Sequence, residues 1–139
     1  MHLLDTNVIS EWTKPVPDPN VVAWLAAQDE SALFLSVATI AELRRGIESM
    51  PSGRKRDRLD TWLTDELAKR FATRTFPIDR RVAETWGVLA AGITRASGTV
   101  GPMDVFLAAT AVVHDLAVVT RNVRDFEHFP VSVINPWGN

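Results

Sequence analysis

Short runs of leucine and β-branched residues alternate with longer stretches of helical period along this chain, and that alternation leaves few folds open. Strands separated by helices pair in parallel with the helices lying over the sheet. The expected fold is therefore α/β: a central, mostly parallel sheet of about five short strands flanked by helices on both faces. The strand candidates are His2 to Leu4, Leu33 to Ser36, Thr75 to Ile78, Leu116 to Thr120 and Val131 to Ile134. Leu59, Trp62, Leu63, Leu67 and Phe71 fall on one helical stripe, and Val82, Trp86, Leu89 and Ile93 on another. Both segments should turn one face inward, with these tryptophans in the core. Pro15, Pro17 and Pro19 mark a loop and Pro51 to Gly53 a helix break. Ser97 to Gly101 reads as a turn ahead of Pro102, a residue suited to a first helical position.

A chain of 139 residues is the size of one domain, here taken as 1–139, and can bury about two-thirds of its unfolded surface around one core. Its 46% hydrophobic and 23% charged residues are those of an ordinary globular protein, and a formal charge of −2 exerts no global pull on nucleic acid or anionic lipid. Any polyanion must be held locally. Without cysteine there are no disulfides, thiolate nucleophiles or cysteine-ligated zinc, which suits a reducing cytoplasm. The longest apolar stretch, Val105 to Val113, is interrupted by Thr110 and falls far short of the roughly 20 residues of a membrane span. Met1-His2 leads straight into a strand, so no signal peptide is expected.

Asp5, Glu42, Asp104 and Asn122, the last followed by Asp125, each stand beside an apolar run where a strand ends or a helix begins. In an open parallel sheet ligands bind outside the carboxyl ends of the strands, where Asp5 and Asn122 are expected. Asp104 falls in the first turn of a helix after Pro102, where the helix dipole favours an anion. If these carboxylates converge, two of them about 4 Å apart repel by roughly 4 kcal/mol at an effective dielectric near 20. Such a cluster needs a proton or a hard cation such as Mg²⁺. Each residue also has a plainer reading. Asp5 is an ordinary N-cap before Thr6-Asn7-Val8-Ile9, Asp104 answers the helix dipole, and Asn122 and Asp125 are turn or capping residues. Glu42 lies about 200° round the helix from Ile40 if Ile40, Leu43 and Ile47 form the buried stripe, a position on the solvated face.

Four stretches in this order resemble the PIN-domain ribonucleases, and among them the VapC toxins of type II toxin–antitoxin pairs, including the FitB-like group. They are Leu3-Leu4-Asp5-Thr6-Asn7-Val8, the segment from Ser36 to Gly46 around Glu42, the helix Met103-Asp104-Val105 to Ala111, and Val119-Thr120-Arg121-Asn122 to Phe126; the tail Asn135-Pro136-Trp137 is similar too. The resemblance implies a PIN-like single domain acting as a Mg²⁺- or Mn²⁺-dependent endoribonuclease. Asp5, Glu42 and Asp104 would supply its acids and Asn122 its fourth ligand, which reverses the surface reading of Glu42; whether Asp125 compensates for a neutral amide stays open. Thr6, Asn7 and Thr120 match polar positions around the family's site. The resemblance further implies an RNA substrate, a VapB-like antitoxin, a homodimer, a cytoplasmic location and no membrane partner.

Phosphate contacts give Arg44, Arg45 and Arg121 a role beside such a site, with Arg54, Lys55, Arg56 and Arg58 as a more distant basic run that Asp57 and Asp60 interrupt. His2, His114 and His128 show no metal-ligand spacing. An aspartate-nucleophile phosphatase is a competing enzyme reading of Asp5-Thr6-Asn7, but Asn7 stands where the general acid belongs. A PIN-like module that binds RNA or protein without cutting is a third.

Overall fold

β1 (His2–Leu4) comes first in the chain and ends up at the centre of the sheet. The structure, a computed structural model, describes the backbone of residues 1–96 and 100–138 and the side chains of 1–93 and 100–138. β1 pairs in parallel with β2 (Leu33–Ser36) on one side and β4 (Ala117–Val119) on the other; β3 (Thr75–Phe76) and β5 (Val133–Ile134) form the edges, giving the order β3-β2-β1-β4-β5. All five expected strands are present and every pairing is parallel, with three of them shorter than expected by one or two residues at an end. The chain builds outward from β1 to β3, then crosses back to β4. The junction of β1 and β4 is therefore the topological switch point, where a crevice opens beyond the strand ends.

Alternation along the strands divides the core in two. Leu4 and Val119 point into one cluster with Val8, Leu25, Leu43 and Leu67, while their chain neighbours Leu3 and Val118 point into the other with Val105, Leu107, Ala108 and Phe126. A strand side chain changes face at each residue, so helices must cover both faces. α1 (Thr6–Ile9), α2 (Pro19–Ala27) and α3 (Val37–Glu48) supply the first cluster, as does a long helix made of α4 (Arg54–Thr61), a π-helical stretch Trp62–Leu67 and α5 (Ala68–Arg70). α6 (Arg80–Ala96) and α7 (Pro102–His114) supply the second. Leu3 and Leu4 are fully buried, each contributing roughly 1.5–3 kcal/mol of apolar burial.

Two expectations need correction. Pro19 does not belong to the loop: it opens α2, whose first amides at Asn20 and Val21 donate to the Asp18 carboxylate. Trp62 and Trp86 sit half-buried at the edges of the two clusters instead of inside them. Indole carries a polar edge that needs a partner, and Trp86 Nε1 donates to the Pro102 carbonyl at 3.2 Å while its ring stacks on Phe106. Of the turn expected over Ser97 to Gly101, residues 97–99 lie outside the described residues; Pro102 does open α7. Among the described residues no helix is long and apolar enough to cross a membrane.

Candidate active site

The switch point fixes Asp5 from both sides. Its backbone N–H continues the ladder to the Val119 carbonyl at 2.9 Å, and the chain then turns into α1, leaving the carboxylate at the mouth of the crevice with only 4% of the residue exposed. Oδ1 accepts from the Thr6 amide at 2.7 Å, so Asp5 is indeed an N-cap. Oδ2 accepts from the Thr120 hydroxyl at 2.7 Å, a bond that joins the ends of β1 and β4. The capping reading holds for this residue, and the same carboxylate stands at the mouth of the crevice where the site reading expects it. Thr120 in turn accepts from the Asn122 amide at 3.0 Å and from Asn7 Nδ2 at 3.3 Å, filling its hydrogen-bonding capacity. Asn7 Oδ1 accepts from the Arg121 amide. Asn7, which stands where the phosphatase reading needs its general acid, is a brace for the loop after β4.

Glu42 faces this mouth. Its Oε1 accepts from the Thr6 hydroxyl at 2.9 Å, and its charge acts on both Asp5 and Asp104. The surface reading failed because the buried stripe was misplaced. Ala38, Thr39, Leu43 and Ile47 are buried, whereas Ile40 is only partly so. Measured from Leu43, Glu42 points about 100° round, between Thr39 at about 40° and Ala38 at about 140°, both buried. The start of α3 is set by Ser36 at the end of β2, fully buried, whose hydroxyl accepts from the Ala38 amide.

Asp104 sits in the first turn of α7, its amide bonded to the Gly101 carbonyl, on a helix whose approach the Trp86 contacts help to fix. Burial first, then the charges of Asp5, Asp125 and Glu42, push its carboxyl up to about 7. Asp5 is also raised, chiefly by burial, against the pull of its bonds from Thr120 and Thr6; Glu42 and Asp125 add repulsion. The charges of Glu42 in α3 and of Asp125 after β4 thus act on Asp5 at the end of β1 and Asp104 at the start of α7. Asp125, in the first turn of the short 3₁₀ helix Val123–Phe126, belongs to this set electrostatically, whereas Asn122 lies exposed just before it with no side-chain hydrogen bond among the described residues.

A set of carboxylate oxygens that repel one another is the donor chemistry of a hard divalent cation. Among the described residues no three Asp, Glu or His side chains stand close enough, as placed, to enclose an ion.

The arginines divide. Arg44 Nη1 is paired with Asp60 at 2.8 Å and lies 3.5 Å from Glu48. Arg121 is exposed at the mouth, its guanidinium 5.4 Å from the Trp137 ring centroid. That contact gives the Asn135-Pro136-Trp137 tail a place beside the site. His2 and His114 pack against Trp24 and Phe76.

Glu11 went unnoticed in the sequence. It is 2% exposed, paired with Lys14, and accepts from the Asp18 amide at 2.8 Å. Lys14 first and this amide second hold it below the usual carboxylate range, with the charge of Arg121 adding to the effect. Its spacing of three from Lys14, on one helical face, was the available signal.

The PIN-domain family profile matches residues 2–131. VapC ribonuclease Y4jK of Sinorhizobium fredii is 40% identical over 137 residues, spanning 99% of this chain and 98% of that protein. Toxin FitB of Neisseria gonorrhoeae is 38% identical over 137 residues and 99% of each chain. The crystal structure of FitAcB from N. gonorrhoeae superposes with a TM-score of 0.92 at 37% identity, covering 100% of both chains. With a five-stranded parallel sheet, an acid cluster at its switch point and near-complete coverage by these relatives, the chain belongs to the PIN-domain family.

Proposed function

We propose that this protein is the toxin of a type II toxin–antitoxin pair, a metal-dependent endoribonuclease working in the cytoplasm as one domain over 1–139. The observation that carries the reading is the gathering of Asp5, Glu42, Asp104 and Asp125 at the switch point, where burial first and neighbouring acid charges second raise Asp5 and Asp104, a penalty that a divalent cation would relieve. Asp5, Glu42 and Asp104 would hold Mg²⁺, with Mn²⁺ serving as well, and Asn122 or Asp125 would close the fourth side. When bound, the ion neutralises charge on the scissile phosphate and activates the attacking water.

The chain's own residues do the rest. Thr120 and Thr6 hold both oxygens of Asp5 in place, and the Thr6 hydroxyl ties Glu42 to the same frame. Asn7 and Thr120 anchor the loop that carries Arg121, Asn122 and Asp125, which keeps a guanidinium at the mouth for a neighbouring phosphate. Water attacks phosphorus in line, the bond to the 3′ oxygen breaks, and that oxygen takes up a proton. The products carry a 5′-phosphate and a 3′-hydroxyl.

The names of the relatives support a ribonuclease and a toxin. Neighbouring structures solved as FitAB and VapBC complexes support a VapB-like antitoxin partner. We extend the family expectation of a homodimer to this chain. The test is cleavage of total cellular RNA by the purified chain with Mg²⁺, with Mn²⁺ and with chelator, beside Asp5→Ala and Asp104→Asn made identically. Discrete cuts that need metal and vanish in both variants are expected. No metal-dependent cutting of any RNA would favour a binding module without turnover, a reading that draws on the separation of the acids as placed.

A further inference from the structure

A groove of about 270 Å³ opens directly off the acid cluster, sharing Thr6 and Glu42 with it. Its floor is apolar, formed by Leu43 and Ile47 of α3 with Leu59 and Trp62 of the facing helix. Its rim carries the hydroxyls of Ser10 and Thr13. Thr13 is committed to the Ser10 carbonyl, whereas the Ser10 hydroxyl has no hydrogen-bond partner among the described residues. A second groove, of about 410 Å³, continues past Trp62 to Arg58 and Glu66.

Gly46 lines the first groove from the middle of the last turns of α3. A glycine inside an exposed helix is less favourable than alanine, and here neither packing nor backbone requires it: a Cβ at Gly46 would meet nothing within 4 Å. The residue costs helix stability and leaves open space. Opposite it the helix passes into its π-helical stretch at Trp62, a distortion found often at functional sites.

Charge indicates what the space is for. α4, beside the groove, carries Arg54, Lys55, Arg56 and Arg58 against Asp57 and Asp60. Arg56 pairs with Glu48, while Arg54, Lys55 and Arg58 have no ion pair among the described residues. The groove thus runs from the acids that would take a phosphate through a cation to a basic helix that would take the next phosphates directly. Apolar walls with an aromatic side and a free hydroxyl between two phosphate sites match a single base of a single strand. The first groove, at about 270 Å³, has room for one such unit.

Resting on the nuclease reading above, we propose that this groove seats one nucleobase of the RNA strand beside the scissile phosphate, with Gly46 keeping it open and Ser10 reading the base edge. The test uses the non-cleaving Asp104→Asn protein and short single-stranded RNAs that differ at one position, with binding read by fluorescence anisotropy. One base is expected to bind at least about tenfold better than the others at one position. Adding Gly46→Leu should erase that preference, and Ser10→Ala should change which base is preferred. In the cleaving protein the same changes should move the mapped cut sites. If thermal unfolding shows that Gly46→Leu does not fold, Gly46→Ala, which adds one methyl to the open space, carries the test through a reduced preference.

A preference untouched by these variants overturns the proposal, as does RNA binding with no base preference. So does a Gly46→Leu protein that treats RNA normally but no longer holds its antitoxin, which would assign the groove to a protein segment. Base-selective binding without cleavage by the unaltered chain would instead remove the nuclease reading and leave the groove in place.

Discussion

Asp5 and Asp104 face the same mouth and are held in opposite ways. Asp5 is buried, with each oxygen fixed by a hydrogen bond from within the fold. Asp104 is half-buried, has no such donor among the described residues, and is raised further by burial and by three acids around it. One half of the site is organised by protein alone. The other is left unsettled until a cation or a proton arrives. On the proposed metal-dependent reading, the difference separates positioning from reactivity: the fixed half would set where a cation sits, and the unsettled half would make binding it favourable.

The largest expected effect comes from disturbing the unsettled half. Asp104→Asn should lower metal-dependent cleavage by at least about 10³-fold. The same change should stabilise the metal-free protein, because it removes a charge the fold resists. The sign follows from the raised pKa. Stability contributed by protonated Asp104 is fully present below about 3.8 and is lost as pH rises through about 7. Metal-free wild type should therefore lose stability between about pH 4 and 8. Asp104→Asn should lack about 1–2 kcal/mol of that loss, after discounting for solvent screening. Urea unfolding across pH in chelator would measure both slopes, and equal slopes would contradict the unsettled state of Asp104.

Disturbing the fixed half should act on folding as well. Thr120→Val keeps the shape but strips a buried carboxylate oxygen of its donor and the Asn7 and Asn122 bonds of their acceptor. A loss of about 1–3 kcal/mol in chemical denaturation is expected, with about 10–100-fold weaker metal binding by calorimetry. A variant with wild-type stability and affinity would show that Asp5 needs no frame. The smallest effect is expected outside both halves. Arg44 is tied to Asp60 and Glu48 on the surface, so Arg44→Gln should leave stability near wild type and the salt dependence of RNA binding unchanged. A shallower salt slope would restore Arg44 as a phosphate contact.

The sheet was readable from the sequence because its signal is local. Leu3-Leu4 and Val118-Val119 are buried on both faces and read as uninterrupted apolar runs, as central parallel strands do. Glu42 was misread because a helical wheel assigns faces relative to an assumed stripe. Taking half-buried Ile40 as the reference in place of Thr39 turned the wheel far enough to send Glu42 to solvent. Asp125 and Asn122 could not be ranked, since three residues of irregular chain carry no period from which to infer direction. Glu11 escaped because burial of a charge depends on partners such as the Asp18 amide, seven residues away across a loop. Asp5 and Asp104 were identifiable by position, but the contrast between them was not: it arises from Thr120, which lies 115 residues along the chain from Asp5.

That separation has a consequence during synthesis. A ribosome completes β1 and Asp5 before β4, yet the central strand lacks its β4 neighbour, and Asp5 its Thr120 hydroxyl, until more than a hundred further residues have been added. No nascent fragment that stops short of the loop after β4 holds the assembled acid cluster. Under the proposed function, a fragment lacking the loop after β4 would carry none of the nuclease chemistry, which would arise only once β4 and that loop close beside β1.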